Sequence, residues 1–113
     1  MLGNSNRLTS AKDFDLVKRK GKVFVSENFT IGFYKRRDKK PSRFGFIVSK
    51  NVSPEAVIRN KAKRGLREGV RHNITTVKPS YDCVVVAKPS IARRYTEDIL
   101  REVKGALSAI DLI

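Results

Sequence analysis

The sequence predicts an α+β sandwich in the order α-β-β-β-α-β-α, with helices packed on a mainly antiparallel four-stranded sheet. Three observations lead there. Two short runs rich in β-branched and aromatic residues, Lys22-Val23-Phe24-Val25 and Phe29-Thr30-Ile31-Gly32-Phe33-Tyr34, are separated only by Ser26-Glu27-Asn28 and read as a hairpin. A long stretch of helical period then stands between two apolar strand-like runs, at 43–49 and 81–87. Finally, 40% hydrophobic residues in 113 suffice for one core, so residues 1–113 read as a single domain with 1–6 as a loose N-terminal tail.

Each element has a local reason. Ser10 is placed to cap a first helix, with Asp13 at its third position as a variant capping box. Ala11, Phe14, Val17 and Lys18 share a face of that helix, and Gly21 stops it. In the second strand, alternation puts Phe29, Ile31 and Phe33 on one face and Thr30, Gly32 and Tyr34 on the other. The run Arg43-Phe44-Gly45-Phe46-Ile47-Val48-Ser49 is a third strand, apolar enough to be central. Ser53 and Pro54 open the second helix, which is expected from Pro54 to Val70 or Arg71. Gly65 and Gly69 weaken it by roughly 1 kcal/mol each relative to Ala, and lie near its apolar arc, where they favour close packing on the sheet. Tyr81 to Ala87 is a buried strand. Thr96, Glu97 and Asp98 open a last helix with an apolar stripe of Ile99, Val103, Ala106, Leu107 and Ile110.

Charge narrows the function. The chain carries 25 Lys+Arg against 11 Asp+Glu, a formal net charge of +14. Self-repulsion of that size is relieved by a polyanionic partner. The cations concentrate on the second helix: Arg59, Lys63, Arg67 and Arg71 recur at a spacing of four and share one face, flanked by Asn60 and Arg64. Ile58, Ala62, Leu66 and Val70 repeat the spacing about 100° away and face a core. Arginine offers phosphate a planar fork and stacks on bases, and lysine supplies a mobile point charge. The apolar face has no bulky aromatic to bury in lipid, so a membrane is not the expected partner. Phe14 and Lys18 on the first helix and Tyr34 on the second strand fit one groove in which unpaired bases stack between rings and cations. Core packing is the alternative for the rings, but Lys18 cannot be core.

The remaining chemistry is sparse. Lone Cys83 in an apolar run reads as an inert core thiol, and His72 as a surface residue. Neither a nucleophile with its base nor a metal-ligand cluster is apparent. The chain lacks an apolar signal region or a run of membrane-spanning length, so it is expected in the cytoplasm.

Together these segments resemble the protein component of bacterial ribonuclease P, from Arg7-Leu8 to about Ile110. The resemblance rests on Asp13-Phe14, Lys20-Gly21, the 43–50 strand and above all Ala56-Val57-Ile58-Arg59-Asn60-Lys61-Ala62-Lys63-Arg64-Gly65-Leu66-Arg67-Glu68. It implies a protein subunit that binds a catalytic RNA, which with Mg2+ acting mainly at the RNA removes the 5′ leader of precursor tRNA. Lys50, Arg59, Asn60, Lys61, Lys63, Arg64, Arg67 and Arg71 would contact that RNA. Phe14, Lys18, Thr30 and Tyr34 would line the leader cleft. The resemblance further implies no catalytic residue and no metal site in the chain, no DNA partner, and a monomer in a 1:1 complex with the RNA. Crossovers between parallel strands are right-handed in about 98% of cases, but the family's is left-handed, and left-handed is expected here. The chain departs from the family at Lys61, where the motif has a second Arg, and at Lys18 and Gly32, where relatives often carry aromatics.

Other readings stay open on the residues alone. A general RNA-binding module of the ribosomal or chaperone kind keeps the basic face and lacks the cleft. A stand-alone nuclease needs clustered acids. A groove-reading DNA repressor would place a helix, not a strand, just before the basic helix.

Overall fold

A computed structural model of the chain describes residues 2–113. Its main elements are α1 (Ala11–Lys20), β1 (Lys22–Val25), β2 (Phe29–Lys35), β3 (Arg43–Ile47), α2 (Ala56–Asn73), β4 (Tyr81–Ala87) and α3 (Thr96–Ala109). Short 3-10 turns at Asn4–Asn6 and Pro89–Arg93 complete them. This is the α+β order read from the sequence.

The strands lie in the order β1-β2-β4-β3. β1 and β2 form the expected hairpin, with Val23 opposite Gly32 and Val25 opposite Thr30. β2 runs antiparallel to β4, and β3 runs parallel to it, so α2 lies on the crossover between neighbouring parallel strands. The third strand is therefore an edge strand and not a central one. Its apolar residues are satisfied differently: the N-terminal segment covers its outer side, where the Leu8 amide donates to the Phe44 carbonyl at 3.0 Å. The expected loose tail is likewise packed over its described residues 2–6. Leu2 is buried in the core, and the Asn6 side chain donates to the Ser42 carbonyl at 2.8 Å.

Alternation along the strands builds two unequal layers. Phe29, Ile31, Phe44, Cys83, Val85 and Ala87 are buried with Leu66, Val70, Ile99, Val103 and Leu107 from α2 and α3. This is the main core. The opposite face meets α1 and Leu8 of the N-terminal segment, through a small cluster of Leu8, Val17 and Val84 with Phe14 and Tyr34 against it. Ten residues of helix cannot cover four strands, and Val23, Val25, Ile47 and Val86 remain 66%, 65%, 41% and 38% exposed on that face.

Three local expectations change. Ser10 holds the cap position of α1, but its hydroxyl makes no cap bond, and Asp13 turns to Arg43 at 3.3 Å. α2 begins at Ala56, two residues later than Pro54, because the Ser53 hydroxyl accepts from the Glu55 amide at 3.1 Å and closes a turn ahead of the helix. α2 also runs on to Asn73. Gly65 and Gly69 pack on Ile99 and Val103 of α3 and not on the sheet. Gly21 does end α1 without a left-handed backbone: a Cβ there would lie 2.5 Å from the Val17 carbonyl oxygen and 2.8 Å from that of Phe33. The turn into β1 has room for no side chain.

Candidate nucleic-acid interface

The cationic face of α2 divides by what each side chain touches. The Arg59 guanidinium folds back and donates to the carbonyls of Ser53 and Pro54, both at 2.9 Å. It thereby steadies the turn that launches the helix. Arg71 donates to Glu68 at 2.9 Å, and that bond holds the Glu68 carboxyl below its ordinary range. Asn60, Lys61 and Arg64 are exposed, whereas Lys63 and Arg67 are half-buried toward the β3 edge. Arg67 lies over the Phe46 ring, 5.9 Å from its centre, within cation–π range. Among the described residues, Lys61, Lys63, Arg64 and Arg67 make no ion pair, so their charge is available to a partner. Lys50 is exposed in the segment between β3 and α2.

A cleft of about 330 Å³ opens between α1 and the sheet. Phe14, Lys18 and Thr30 line it together, as the sequence reading required. Tyr34 does not; it packs beside Leu8, Val17 and Val84 beneath α1. The floor comes instead from Val23, Ile47, Val84 and Val86, which the sequence reading missed. The signal was present: Val23 and Val25 alternate with Phe24, so a short strand shows apolar residues on both faces. Gly32 lets α1 approach, since a Cβ there would meet the Val17 methyl at 3.3 Å. Gly45 does the same for Phe14, whose ring lies where a Cβ would be, at 2.3 Å.

One acid positions this assembly. Asp82 in β4 has a side chain only 2% exposed and accepts from Arg36 and, at 2.9 and 2.7 Å, from Arg43. Arg43 reaches on to Asp13 of α1, so β4, β3 and the start of α1 share one charge network. Arg36 also donates to the carbonyls of Tyr81 at 2.9 Å, Lys40 at 3.1 Å and Pro41 at 2.9 Å, which ties down the basic loop after β2. Its hydrogen bond to Asp38 holds that carboxyl below its ordinary range. Elsewhere, His72 sits half-exposed 3.6 Å from Glu68, and Cys83 is fully buried with its thiol pushed up by that burial. Among the described residues, no three His, Cys, Asp or Glu side chains are grouped to hold a metal ion, and no helix is long and apolar enough to cross a membrane.

A half-free cationic helix face beside an apolar cleft is an arrangement suited to a polyanion. Residues 2–111 match the family model described as Ribonuclease P. The chain belongs to the ribonuclease P protein family. The ribonuclease P protein component of Cyanothece sp. is 30% identical over 128 residues, covering 100% of this chain and 98% of the relative. That of Finegoldia magna is 34% identical over 107 residues, covering 94% and 88%. The RNase P protein from Thermotoga maritima superposes with a TM-score of 0.81 at 28% identity, over 93% of this chain and 97% of that one. The RNase P protein of Staphylococcus aureus shares the fold, with a TM-score of 0.88 at 24% identity over 96% and 98%. As a ribonuclease P protein component, the chain serves tRNA processing alongside the RNA partner that defines the holoenzyme.

Proposed function

We propose that this chain binds the ribonuclease P catalytic RNA through α2 and grips the 5′ leader of precursor tRNA in the cleft under α1. It thereby promotes endonucleolytic release of the leader and the mature 5′ end. Lys61, Lys63, Arg64 and Arg67 are the phosphate contacts. Asn60, Lys50 and the remaining edges of Arg59 and Arg71 extend that face. Phe14, Lys18 and Thr30 hold the leader; Tyr34 supports α1 from below.

The observation that carries this reading is the uncovered sheet face. Aliphatic side chains left 38–66% exposed, beside an aromatic ring and a lysine, offer base faces an apolar floor and the backbone a charge. The floor carries few hydrogen-bonding groups, so it holds unpaired nucleotides without reading their edges, as a protein that meets many leaders requires.

The chain supplies position and fixed positive charge while the RNA performs hydrolysis. Its carboxylates do not fit Mg2+: Asp82 and Asp13 are taken up by Arg43 and Arg36, and Asp15 by Arg19 at 2.8 Å. The magnesium belongs to the RNA, and the cationic face lowers the concentration it needs. The holoenzyme is a 1:1 cytoplasmic complex without DNA.

The test is single-turnover cleavage of precursor tRNA at low magnesium by the RNA alone, the chain alone and both. Faster cleavage at the mature 5′ end only in the mixture is expected; binding without stimulation would leave a general RNA-binding module. Phe14→Ala with Lys18→Ala should cut the preference for precursor over mature tRNA roughly tenfold, the worth of about one lost stacked base. Affinity for mature tRNA should hold.

A further inference from the structure

A second cavity, of about 420 Å³, lies across the β3 edge from the cleft. Its volume falls within the ~300–1,000 Å³ of small-ligand sites. Arg7, Lys63 and Arg67 enter it from the N-terminal segment and from α2. Phe14, Phe44 and Phe46 form its apolar walls, and among the described residues no carboxylate lines it. Three cations over aromatic walls complement a ligand with a flat apolar part and a negative part. Inorganic anions would leave the rings unused, and a lipid or apolar peptide would strand the cations. Phe14 lines both this cavity and the cleft, so the two adjoin at its ring. Arg67, held 5.9 Å over the Phe46 ring, offers the outer face of its planar guanidinium as a stacking surface that the ring supports from behind.

We propose that this cavity takes one extruded nucleotide of RNA, its base on the guanidinium that Arg67 holds over Phe46 and its phosphate between Arg7 and Lys63. The inference rests on the RNA-subunit reading and adds a base-binding subsite to it. The nucleotide comes either from the leader beyond Phe14 or from the catalytic RNA beside α2; the chemistry is the same.

The free chain is titrated with adenosine 5′-monophosphate, adenosine and inorganic phosphate, and amide shifts are followed by NMR. The monophosphate should shift Leu8, Phe46 and Arg67 saturably, at least tenfold more tightly than either part, and Phe46→Leu should abolish this. Circular dichroism checks that the variant is folded; Arg7→Gln, which leaves the rings in place, gives the same loss if folding fails. Phosphate that matches the monophosphate would overturn the base pocket. In the holoenzyme, 4-thiouridine is placed in the leader in one sample and in the catalytic RNA in another, then irradiated. A crosslink to the peptide containing Phe46 from either RNA supports the site and names its source; none from either overturns it. A wild-type chain that fails to stimulate cleavage would defeat the RNA-subunit reading, while the nucleotide titration still decides the cavity by itself.

Discussion

Two glycines four residues apart on α2 meet different neighbours. A Cβ on Gly65 would lie 3.2 Å from the Cδ1 of Ile99, the free end of a flexible side chain. A Cβ on Gly69 would lie 2.8 Å from the Cβ of Val103 and 2.9 Å from its Cγ2. Val103 is β-branched and only 2% exposed, so it has one rotamer and nowhere to turn. Replacing an interior helix glycine by alanine gains roughly 1 kcal/mol of propensity. Overpacking a rigid core costs about 1–3 kcal/mol. At position 65 the end of Ile99 yields and the propensity wins; at position 69 the clash wins. Gly65→Ala is therefore expected to raise the melting temperature by about 4 °C and Gly69→Ala to lower it by a similar amount or more. Thermal unfolding by circular dichroism reads both, and a stabilising Gly69→Ala would show that α3 can step back from α2. The sequence placed these glycines beside the apolar arc; which of them a methyl group would injure depends on Ile99 and Val103 of α3, further along the chain than local pattern can see.

The elements are joined less by their sequence neighbours than by Asp82. Its carboxylate binds Arg36 from the end of β2 and Arg43 from β3, and Arg43 passes the tie to α1 through Asp13. Stripping one partner from a buried pair costs about 3–5 kcal/mol because the remaining charge is stranded. Arg43 is 31% exposed and regains some water, which places Asp82→Asn near the low end, about 3 kcal/mol. Asp13→Ala breaks a pair that is 31% and 28% exposed, and should cost under about 1 kcal/mol. Urea unfolding midpoints separate the two; equal effects would mean that Asp82 is not the junction. The same joints explain how far the sequence could be read. Element type and order were legible because periods of 2 and 3.6 are local. The neighbours of β3 were not: Phe44 and Phe46 are apolar whether a strand or a helix covers them, and the coverage comes from Leu2, Leu8 and α2. In the cleft, Phe14 and Lys18 were legible from their shared helix face, and Thr30 from the family resemblance. Val23, Ile47 and Val86 were not, because an exposed valine looks like a core valine until the short length of α1 leaves it uncovered.

Over the whole molecule, the question is where an excess of 14 positive charges can act. The molecule spans 38 × 26 × 25 Å, so its opposite sides lie several Debye lengths apart at physiological salt, about 8 Å each. Net charge alone therefore does not bind RNA tightly; local unpaired charge does. The acids are largely spent on Arg36, Arg43, Arg19, Arg71, Lys78, Arg94 and Arg101. Among the described residues, Lys61, Lys63, Arg64 and Arg67 are left without an acidic partner on one helix. Each phosphate that such a side chain neutralises steepens the decline of log affinity with log salt by about 0.9 on duplex RNA and 0.7 on single strands, by analogy with DNA. Changing all four to Gln should flatten the slope for the catalytic RNA by about 3. Changing Arg19, Arg94 and Arg101 to Gln removes three positive charges that already have acidic partners, and should leave the slope nearly unchanged. Filter binding across a salt series compares the two variants with the wild-type chain. Equal flattening would mean that the RNA responds to total charge, and the assignment of α2 as the RNA-binding face would fail. Divergent slopes would locate the electrostatic contact on α2 without any structure of the complex.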